Sequence, residues 1–337
     1  MRLEYKIEDI TNDEAQREQL IRFLATFEDE NRGEEFWRKR LIHWWNTNPF
    51  YVEDMPKGWV LTYQGNTVGF LGAIAFQYVY CGEKYPALAT TTWRVSTEHR
   101  KYSLRLLSEY HRLKDNYILL NTTPNEVAKK VFTAYRYQSI DEVHNYFFSI
   151  KQRSGLLTNT LFNTTYHFQS SFSKKNNLKI VKQGDIFGFD KQLFQPDQLQ
   201  RNVTRDYITW YCQALSFEKE FVGAVQDHNN LSSYLILRRN RMKEIDTLQV
   251  IDYYSKQADN SEILALIQYV CENPETISIS QGCKVLILSS FATNQLFERK
   301  PAYVLRRRSK YPQYYSTPSA LNGVHKMCYI AEGDYGL

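Results

Sequence analysis

The sequence predicts an α/β protein of two domains, each a mixed, mostly antiparallel sheet flanked by helices. Three observations lead to this prediction. The chain has 337 residues, about two ordinary domains, and 43% of them are apolar, which is enough for buried cores. Strand patterns alternate with helical patterns along the chain. The order of these patterns in the first half partly recurs in the second half, so we infer a diverged duplication.

Two amphipathic helices are predicted near the start of the chain. Apolar residues three or four positions apart place a helix at 12–27, because such residues share one face. A second helix at Glu34–Trp45 carries an aromatic stripe and ends before Asn48 and Pro49. We interpret this stripe as core packing, and the wall of a ligand pocket is the alternative.

A meander of about four strands follows these helices. Residues 59–63 and 67–74 are predicted to pair around a turn at Gly65, a longer strand continues to Tyr80, and 87–95 forms the next strand. The period then becomes helical, and the predicted helix has a buried face with Leu104, Leu107, Tyr110 and Leu113.

The first half closes with a predicted strand at 117–120 and a predicted helix at 124–135, which has Thr123 as its N-cap. A segment rich in Ser, Thr, Asn and Gln separates the two halves. The predicted division is therefore an N-terminal domain, a boundary segment and a C-terminal domain, at 1–150, 151–177 and 178–337.

The second half is predicted to repeat hairpin strands, helix, strand and helix in that order. Its predicted helices lie at 198–215, 261–271 and 294–297. Its predicted strands lie at 221–225, 233–238, 247–253 and 284–288.

Composition limits the partners of the chain. The net charge of +5, from 42 basic and 37 acidic residues, permits an anionic ligand but is far from a nucleic-acid-binding composition. The five cysteines are scattered without a nearby His at metal-ligand spacing, so we expect reduced thiols, no metal and a cytoplasmic location. We also expect no membrane span, because no apolar run reaches the roughly 18 residues that a crossing needs.

The clearest candidate for a binding site is the junction that follows the strand ending at Val95. The chain enters a helix there, and helix N-termini carry unpaired backbone N–H groups and positive potential. Arg100, Lys101 and Arg105 add basic side chains to this turn. The turn is therefore predicted to hold a pyrophosphate, and a solvated basic face is the alternative.

Several sequence blocks around this junction share their order and spacing with one known family. The blocks are 59–61, 67–72, 92–95, 100–103, 119–125, Ala128 and 131–132. They resemble the GNAT family of N-acyltransferases over about the first 150 residues. The second half resembles the second domain of tandem GNAT members in element order. The resemblance therefore implies two GNAT-like domains.

The same resemblance implies a site for acyl-CoA as co-substrate. The ligand would lie in a V-shaped gap between the strand that ends at Val95 and the strand 117–121, with its pyrophosphate on the turn 100–105. The Val95 backbone would polarise the thioester carbonyl, and Asn125 would contact the pantetheine arm. The residues expected to bind acyl-CoA are Trp93, Arg94, Val95, Arg100, Lys101, Tyr102, Ser103, Leu104, Arg105, Asn121, Asn125 and Phe132.

The chain departs from the family pattern at two places. Ser103 and Arg105 stand where the family's phosphate turn usually has small residues. Phe132 stands where many members have a tyrosine that protonates the departing thiolate, and phenylalanine has no proton to donate. Tyr135 is the candidate acid nearest to it in the sequence.

The general base has several candidates. They are Glu34 or Glu35 at the start of the aromatic helix, Asp252 at the end of a second-domain strand, and Asp334 near the C-terminus. We name Glu34, Asp334 and Tyr135 as the expected catalytic residues. His99 in the turn is expected to face solvent.

These features predict an acyl-CoA-dependent N-acyltransferase that moves an acetyl or longer acyl group to a primary amine. The acceptor would be a small molecule such as an amino sugar, or an amino group of a peptide or natural product. A catalytically silent GNAT-like binding or scaffold protein and an aminoacyl-tRNA-dependent transferase are the alternatives. Basic runs at 237–243 and 305–310 are interpreted as solvated turns, with a dock for an anionic acceptor as the alternative. A homodimer stays open.

Overall fold

The computed structural model describes residues 4–27, 32–122, 124–139, 143–150, 179–182, 199–213, 218–225, 231–242, 244–255, 261–291, 305–308, 314–321 and 324. Two mixed sheets with helices packed against them form the architecture of these ranges. The predicted α/β fold class is therefore confirmed.

The α-helices of the described ranges are labelled in chain order. They are α1 Glu14–Ala25, α2 Glu34–Trp45, α3 Ser103–His111, α4 Glu126–Ala134, α5 Arg205–Cys212 and α6 Ser261–Glu272. The aromatic stripe of α2 is core packing, because Trp37, Trp44 and Trp45 are all buried.

The strands divide between two sheets. The first 150 residues hold β1 Tyr5–Asp9, β2 Gly58–Tyr63, β3 Asn66–Tyr80, β4 Glu83–Val95, β5 Ile118–Asn121, β6 Gln138–Ser139 and β7 Val143–Ser149. The remainder holds β8 Lys179–Val181, β9 Gln200–Arg201, β10 Lys219–Val225, β11 Leu231–Met242, β12 Ile245–Ser255, β13 Val285–Phe291, β14 Leu305–Arg308 and β15 Tyr314–Ser316.

Both sheets have the same internal plan. The order of the first sheet is β1-β2-β3-β4-β5-β15-β6, and β9 pairs with the far end of β3. The order of the second sheet is β14-β7-β13-β12-β11-β10-β8. In each sheet, the described strand pairs include a parallel pair, β4 with β5 and β12 with β13, next to antiparallel neighbours.

Each half of the chain contributes strands to the sheet of the other half, and besides β9 these strands are β7 and β15. β7 comes from the N-terminal half but pairs with β13 and β14 in the second sheet. β15 comes from the C-terminal half and pairs with β5 and β6 in the first sheet. The predicted domains at 1–150 and 178–337, with a boundary segment at 151–177, therefore each contribute a strand to the sheet of the other. These domain boundaries stay a prediction. The physical reason is that each inserted strand satisfies the backbone edges of two strands on either side.

Buried contacts also join the two halves. The Trp210 indole Nε1 donates to the carbonyl oxygen of His43 at 2.8 Å, and the two rings stack with centroids 5.0 Å apart. The largest hydrophobic cluster contains residues of both halves, among them Trp44 and Tyr207. The halves are therefore packed through a shared core.

Some sequence predictions of local structure were wrong. Asn125, and not Thr123, is the N-cap of α4, because its side chain accepts from the Ala128 N–H at 2.8 Å. Leu104 is 47% exposed, and the buried face of α3 carries Leu106, Leu107 and Tyr110. The predicted helix at 294–297 lies outside the described residues.

The basic run at 237–243 is not a solvated turn throughout. Arg238 is buried, and its guanidinium donates to Gln249 from two nitrogen atoms. Arg239 is partly exposed and pairs with Asp246 at 2.8 Å. These two arginines therefore hold β11 to β12, which makes this end of the hairpin structural.

The described residues contain neither a helix that could span a membrane nor a metal-binding cluster. None of their helices combines the length and apolarity that a membrane crossing would require. In the same ranges, no three His, Cys, Asp or Glu side chains lie close enough together to share a metal ion.

Candidate functional site

The candidate site begins where β4 and β5 separate. Their parallel pairing covers Ala87 to Ala89 on β4 and Ile118 to Leu120 on β5. β4 then continues to Val95, and in this stretch its recorded strand partner is β3 alone. The two strands therefore open on the side that the sequence analysis assigned to acyl-CoA.

A tyrosine hydroxyl joins the two strands at the end of their paired stretch. The Tyr110 hydroxyl accepts from the Leu120 N–H at 2.8 Å and donates to the Leu88 carbonyl oxygen at 2.7 Å. Burial raises the pKa of Tyr110 well above its usual value, so the phenol stays protonated and can donate. The hydroxyl thus bridges the backbone of β5 to that of β4 through a side chain.

Asn121 follows the last parallel pair and leaves one polar atom unused. Its Nδ2 donates to the Thr90 hydroxyl at 2.6 Å, and that hydroxyl donates to the Leu120 carbonyl oxygen at 3.3 Å. This arrangement orients the amide, because the Thr90 oxygen acts as acceptor. The Asn121 Oδ1 is then buried without a hydrogen-bond partner in the described part of the chain.

A β-bulge lies next along β4. Phe70 pairs with Arg94 and Gly72 pairs with Thr91, so Thr92 and Trp93 together oppose a single residue of β3. Thr92 has a φ of 48°, a conformation that β-branched residues rarely adopt. The indole Nε1 of the half-buried Trp93 has no hydrogen-bond partner among the described residues.

Gly72 is required opposite this bulge. A Cβ at this position would lie 2.8 Å from the Phe70 ring and 2.8 Å from the Thr91 methyl carbon. The glycine therefore lets the backbone of β3 approach its neighbours where β4 changes course.

The backbone N–H of Val95 points to the open side of β4. Val95 lies opposite Gly69, and the next residue, Ser96, donates its N–H to the Val68 carbonyl oxygen at 2.9 Å. Bonded and non-bonded pairs alternate in an antiparallel ladder, so Val95 occupies a non-bonded pair and its N–H points away from β3. This direction is the one that contact with a thioester oxygen in the gap would need.

The turn after Val95 is more tightly closed than predicted. Residues Thr97–Tyr102 form a 3₁₀-helix that runs directly into α3, and the Ser103 N–H donates to the Arg100 carbonyl oxygen. Arg100, Lys101 and Arg105 are exposed, as a dock for a phosphate requires. One N–H that the predicted cradle uses is therefore already bonded.

Aromatic rings support this turn from one side. The Tyr102 ring packs on Tyr5 with centroids 3.8 Å apart, and the Tyr5 hydroxyl lies 2.9 Å from His99 Nδ1. The expectation that His99 faces solvent was wrong, because its ring is half-buried against Tyr5 and Tyr63. His99 therefore fixes the turn onto β1.

The two residues compared for the acid role lie in different surroundings. Phe132 is fully buried, with its ring against Tyr137 and Tyr314 at centroid distances of 4.9 and 6.1 Å. The Tyr135 hydroxyl lies 3.0 Å from the Ser108 hydroxyl, against α3. Phe132 thus packs in the core, and an acid role for Tyr135 would require the Ser108 contact to break.

The remaining predicted binding residues are dispersed. The Arg94 guanidinium lies over the Phe27 ring at 5.3 Å, beside the end of α1. The Asn125 side chain caps α4 through its oxygen, so contact with a pantetheine arm falls to its amide nitrogen. Leu104 is exposed at the start of α3. Arg94 and Leu104 are therefore placed by elements on either side of the β4–α3 junction.

The candidate bases also differ. Asp252 is fully buried, and it accepts from Arg201 and from the Tyr207 and Tyr234 hydroxyls at 3.2 and 3.1 Å. It is therefore a structural carboxylate. Glu34 is exposed in the first turn of α2, while Glu35 pairs with Lys39 at 3.2 Å. Asp334 lies outside the described residues.

The groups that bridge the strands beside the gap were not predicted from the sequence. The helical period placed Tyr110 on an apolar helix face, yet its hydroxyl bridges the two strands. A tyrosine in place of phenylalanine at a core position was the available signal, since a buried phenol needs a partner. Thr90 and the bulge at Thr92 carried no signal of comparable strength.

Comparisons with known proteins identify the fold. No family model and no curated protein matches the sequence. The chain is similar in structure to a protein of unknown function from Enterococcus faecalis described as a probable N-acyltransferase, at 10% identity over 92% of this chain and 72% of that one, with a TM-score of 0.59. A GCN5-related N-acetyltransferase from Anabaena variabilis gives 11% identity, the same coverage and a TM-score of 0.53.

A third similar structure is the N-myristoyltransferase of Saccharomyces cerevisiae with bound myristoyl-CoA. It is 12% identical over 92% of this chain and 82% of that one, with a TM-score of 0.51. Likeness at this level of identity concerns the fold. The chain therefore has the tandem GNAT fold, the fold of these N-acyltransferases.

Proposed function

We propose that this protein is an acyl-CoA-dependent N-acyltransferase that moves an acetyl or longer acyl group to a primary amine. The acyl-CoA lies in the gap between β4 and β5. The acceptor is an amino sugar or an amino group of a peptide or natural product. The similarity in fold to an N-acetyltransferase and to a structure that holds myristoyl-CoA supports an acyl-CoA donor.

The observation that carries the proposal is the polar lining of this gap. The Asn121 Oδ1 and the Trp93 Nε1 are buried atoms without partners in the described ranges, and both follow the point where the strands separate. An unpaired buried polar group costs about 1–3 kcal/mol, and because these two atoms lie where the strands separate, a ligand in the gap can satisfy them. The amide groups of a pantetheine arm offer the matching donors and acceptors.

The reaction needs few groups from the protein. The amine nitrogen attacks the thioester carbon, a C–N bond forms, and the carbonyl oxygen becomes negative. The Val95 N–H stabilises this oxygen, and the C–S bond then breaks to release the CoA thiolate. Glu34 or Asp334 takes the amine proton, since Asp252 is committed to Arg201. The thiolate takes a proton from solvent, because Phe132 has none to donate.

A catalytically silent binding protein is the second candidate. Two observations favour it, namely the buried Phe132 and the Ser103 N–H that already bonds to Arg100. In this case CoA or acyl-CoA would bind in the same gap without transfer.

Thermal-shift titration with CoA, acetyl-CoA and longer acyl-CoAs tests both candidates. A ligand that binds only the native state raises the melting temperature by mass action, and we expect a rise with each donor that the gap accepts. Release of the CoA thiol upon addition of amines would identify the enzyme. Binding without thiol release over a panel of amines would favour the silent protein, and no shift with any CoA species would contradict both.

The Ser103→Glu variant tests the position of the pyrophosphate. A carboxylate at the start of α3 would repel the pyrophosphate, so we expect CoA binding to be lost. Gln19→Glu adds the same charge on the exposed face of α1 and is expected to bind CoA like the wild type. Equal CoA affinity in Ser103→Glu and the wild type would exclude this placement.

A further inference from the structure

A second cavity lies at the C-terminal ends of α3 and α4. It has a volume of about 460 Å³ and is lined by His111, Lys114, Ala134, Tyr135, Arg136 and Ser316. His111 is eight residues beyond Ser103 along α3, which corresponds to about 12 Å at 1.5 Å per residue. The cavity is therefore at the opposite end of α3 from the proposed pyrophosphate turn.

The described lining of this cavity is basic. Lys114 and Arg136 carry positive charge, His111 can donate or accept, and none of the described lining residues is acidic. Asp115, which is not a lining residue, acts on the His111 pKa in the direction opposite to Lys114. The lining is therefore suited to an anion.

Arg136 occupies a backbone position that normally belongs to glycine. Its φ is 61°, in the left-handed region. Arg136 directly follows Tyr135, the C-cap residue of α4. The Tyr137 N–H donates to the Phe132 carbonyl oxygen and the Arg136 N–H to that of Thr133, each at 3.0 Å. This is the Schellman arrangement, in which glycine avoids the steric cost that a side chain brings. An arginine there accepts backbone strain, and this arginine is one of the residues that line the cavity.

His111 supplies a second observation. Its Nδ1 is buried and has no hydrogen-bond partner within the described ranges. Burial and the nearby Lys114 lower the pKa of His111, so the ring is neutral at pH 7 and its free nitrogen can meet a ligand or its bound water. The ring packs edge-on against Tyr135 with centroids 4.8 Å apart, which holds it at the wall of the cavity.

We propose that this cavity binds a small phosphate monoester, with its phosphate between Arg136 and Lys114 and its apolar part against Ala134 and the Tyr135 ring. Two fixed positive charges match the charge of a phosphate monoester, which is about −1.5 to −2 at pH 7. The planar guanidinium can bind two phosphate oxygens at once. The volume falls within the range of small-molecule sites. This site is independent of the acyl-CoA gap.

Calorimetric titration with phenyl phosphate tests the proposal. We expect the wild-type protein to bind phenyl phosphate with a Kd below about 10 mM and to bind phenol and benzoate much more weakly. Arg136→Gly is expected to weaken binding about 10- to 100-fold by removing a charge-assisted contact. The same variant is expected to remain at least as stable as the wild type, because glycine relieves the left-handed conformation.

Further variants separate the possible outcomes. Lys114→Gln changes an exposed side chain, so it should fold normally and should also lose affinity for phenyl phosphate. Ser103→Glu should bind phenyl phosphate like the wild type, because it lies at the other end of α3. The proposal would be overturned if the wild type does not bind phenyl phosphate. It would also be overturned if Arg136→Gly and Lys114→Gln bind phenyl phosphate with the affinity of the wild type. Benzoate that binds as tightly as phenyl phosphate would overturn the assignment to a phosphate monoester.

Discussion

The two sheets contain equivalent parallel pairs whose continuations differ. In the first sheet, pairing ends at Ala89 and Leu120, and in the second sheet it ends at Val250 and Leu288. Beyond each parallel pair, the first strand of the pair shifts its register against its antiparallel neighbour. The shift lies between Phe70 and Gly72 of β3 in the first sheet, and between Ile236 and Leu237 of β11 in the second. The same local plan thus occurs twice in the chain.

Polar groups near the two pairs are satisfied to different degrees. In the second sheet, Asp252 follows the register shift and is held by Arg201, Tyr207 and Tyr234. Ser289, which follows the parallel pair on β13, hydrogen-bonds to Asn145 of the exchanged strand at 2.7 Å. In the first sheet, Asn121 leaves its Oδ1 without a partner among the described residues.

This difference indicates how one scaffold serves two purposes. In the second sheet, the Asp252 carboxylate and the Ser289 hydroxyl have protein partners, so these strand ends are structural. In the first sheet, the Asn121 oxygen directly after the parallel pair is left over, so this strand end is suited to a ligand. The following predictions test this division, from the largest expected effect to the smallest.

Asp252→Asn should be the most destabilising change. It removes the charge that pairs with the buried Arg201, and an uncompensated buried charge costs about 3–5 kcal/mol. Asp246→Asn breaks the partly exposed pair with Arg239 and should cost less than about 1 kcal/mol. Urea denaturation of both variants measures the comparison. Equal losses would show that the Asp252 network does not hold the second sheet as described.

Tyr110→Phe should destabilise the first sheet by about 2–3 kcal/mol, because it leaves the Leu120 N–H and the Leu88 carbonyl without their bridging hydroxyl. It should also weaken CoA binding, since the bridge fixes β5 to β4 directly beside the gap. Tyr137→Phe is the matched control, because its buried hydroxyl has no partner in the described ranges and its loss should be nearly neutral. A stable Tyr110→Phe variant with normal CoA affinity would contradict the role of the bridge.

The contact between the halves should be sensitive to acid. Burial lowers the pKa of His43 to about 4, below the value of an unfolded histidine. The folded protein therefore resists protonation, and its free energy of unfolding should fall as pH drops from about 6.5 to 4, by about 2 kcal/mol between pH 7 and pH 5. His43→Phe keeps a ring against Trp210 and should remove this part of the pH dependence. Denaturation curves of both proteins at pH 7 and pH 5 measure this change. If the free energy of unfolding of His43→Phe falls by as much as that of the wild type, other groups cause the pH dependence.

Asn121→Ala should have the smallest effect on stability, about 1 kcal/mol, because it removes a single side-chain hydrogen bond, from Nδ2 to the Thr90 hydroxyl, while its amide oxygen contributes no described bond. It should weaken CoA binding about tenfold by removing a contact to the pantetheine arm. Ser289→Ala makes the corresponding change in the second sheet and should leave CoA affinity unchanged. Loss of CoA affinity in Ser289→Ala alone would place the ligand in the second sheet.

Much of the fold could be predicted because its signals are local. The bounds of α2 follow from its apolar spacing and the Asn48-Pro49 stop, and the prediction matches the structure. The hairpin of β2 and β3 follows from strand patterns around Gly65. The Thr123 cap was wrong because Asn125, two residues later, offers an equally good capping oxygen and the chain selects it through the Ala128 N–H.

The sequence by itself determined the fold class, the first strand meander and the β4–α3 junction, because hydrophobic periods and turn residues act over short distances. Only the tertiary structure decided which strands exchange between the sheets, that Tyr110 bridges β4 and β5, and that Asp252 pairs with Arg201. The physical reason is that these features depend on hydrogen bonds between residues far apart in the chain, whose partners leave no periodic pattern.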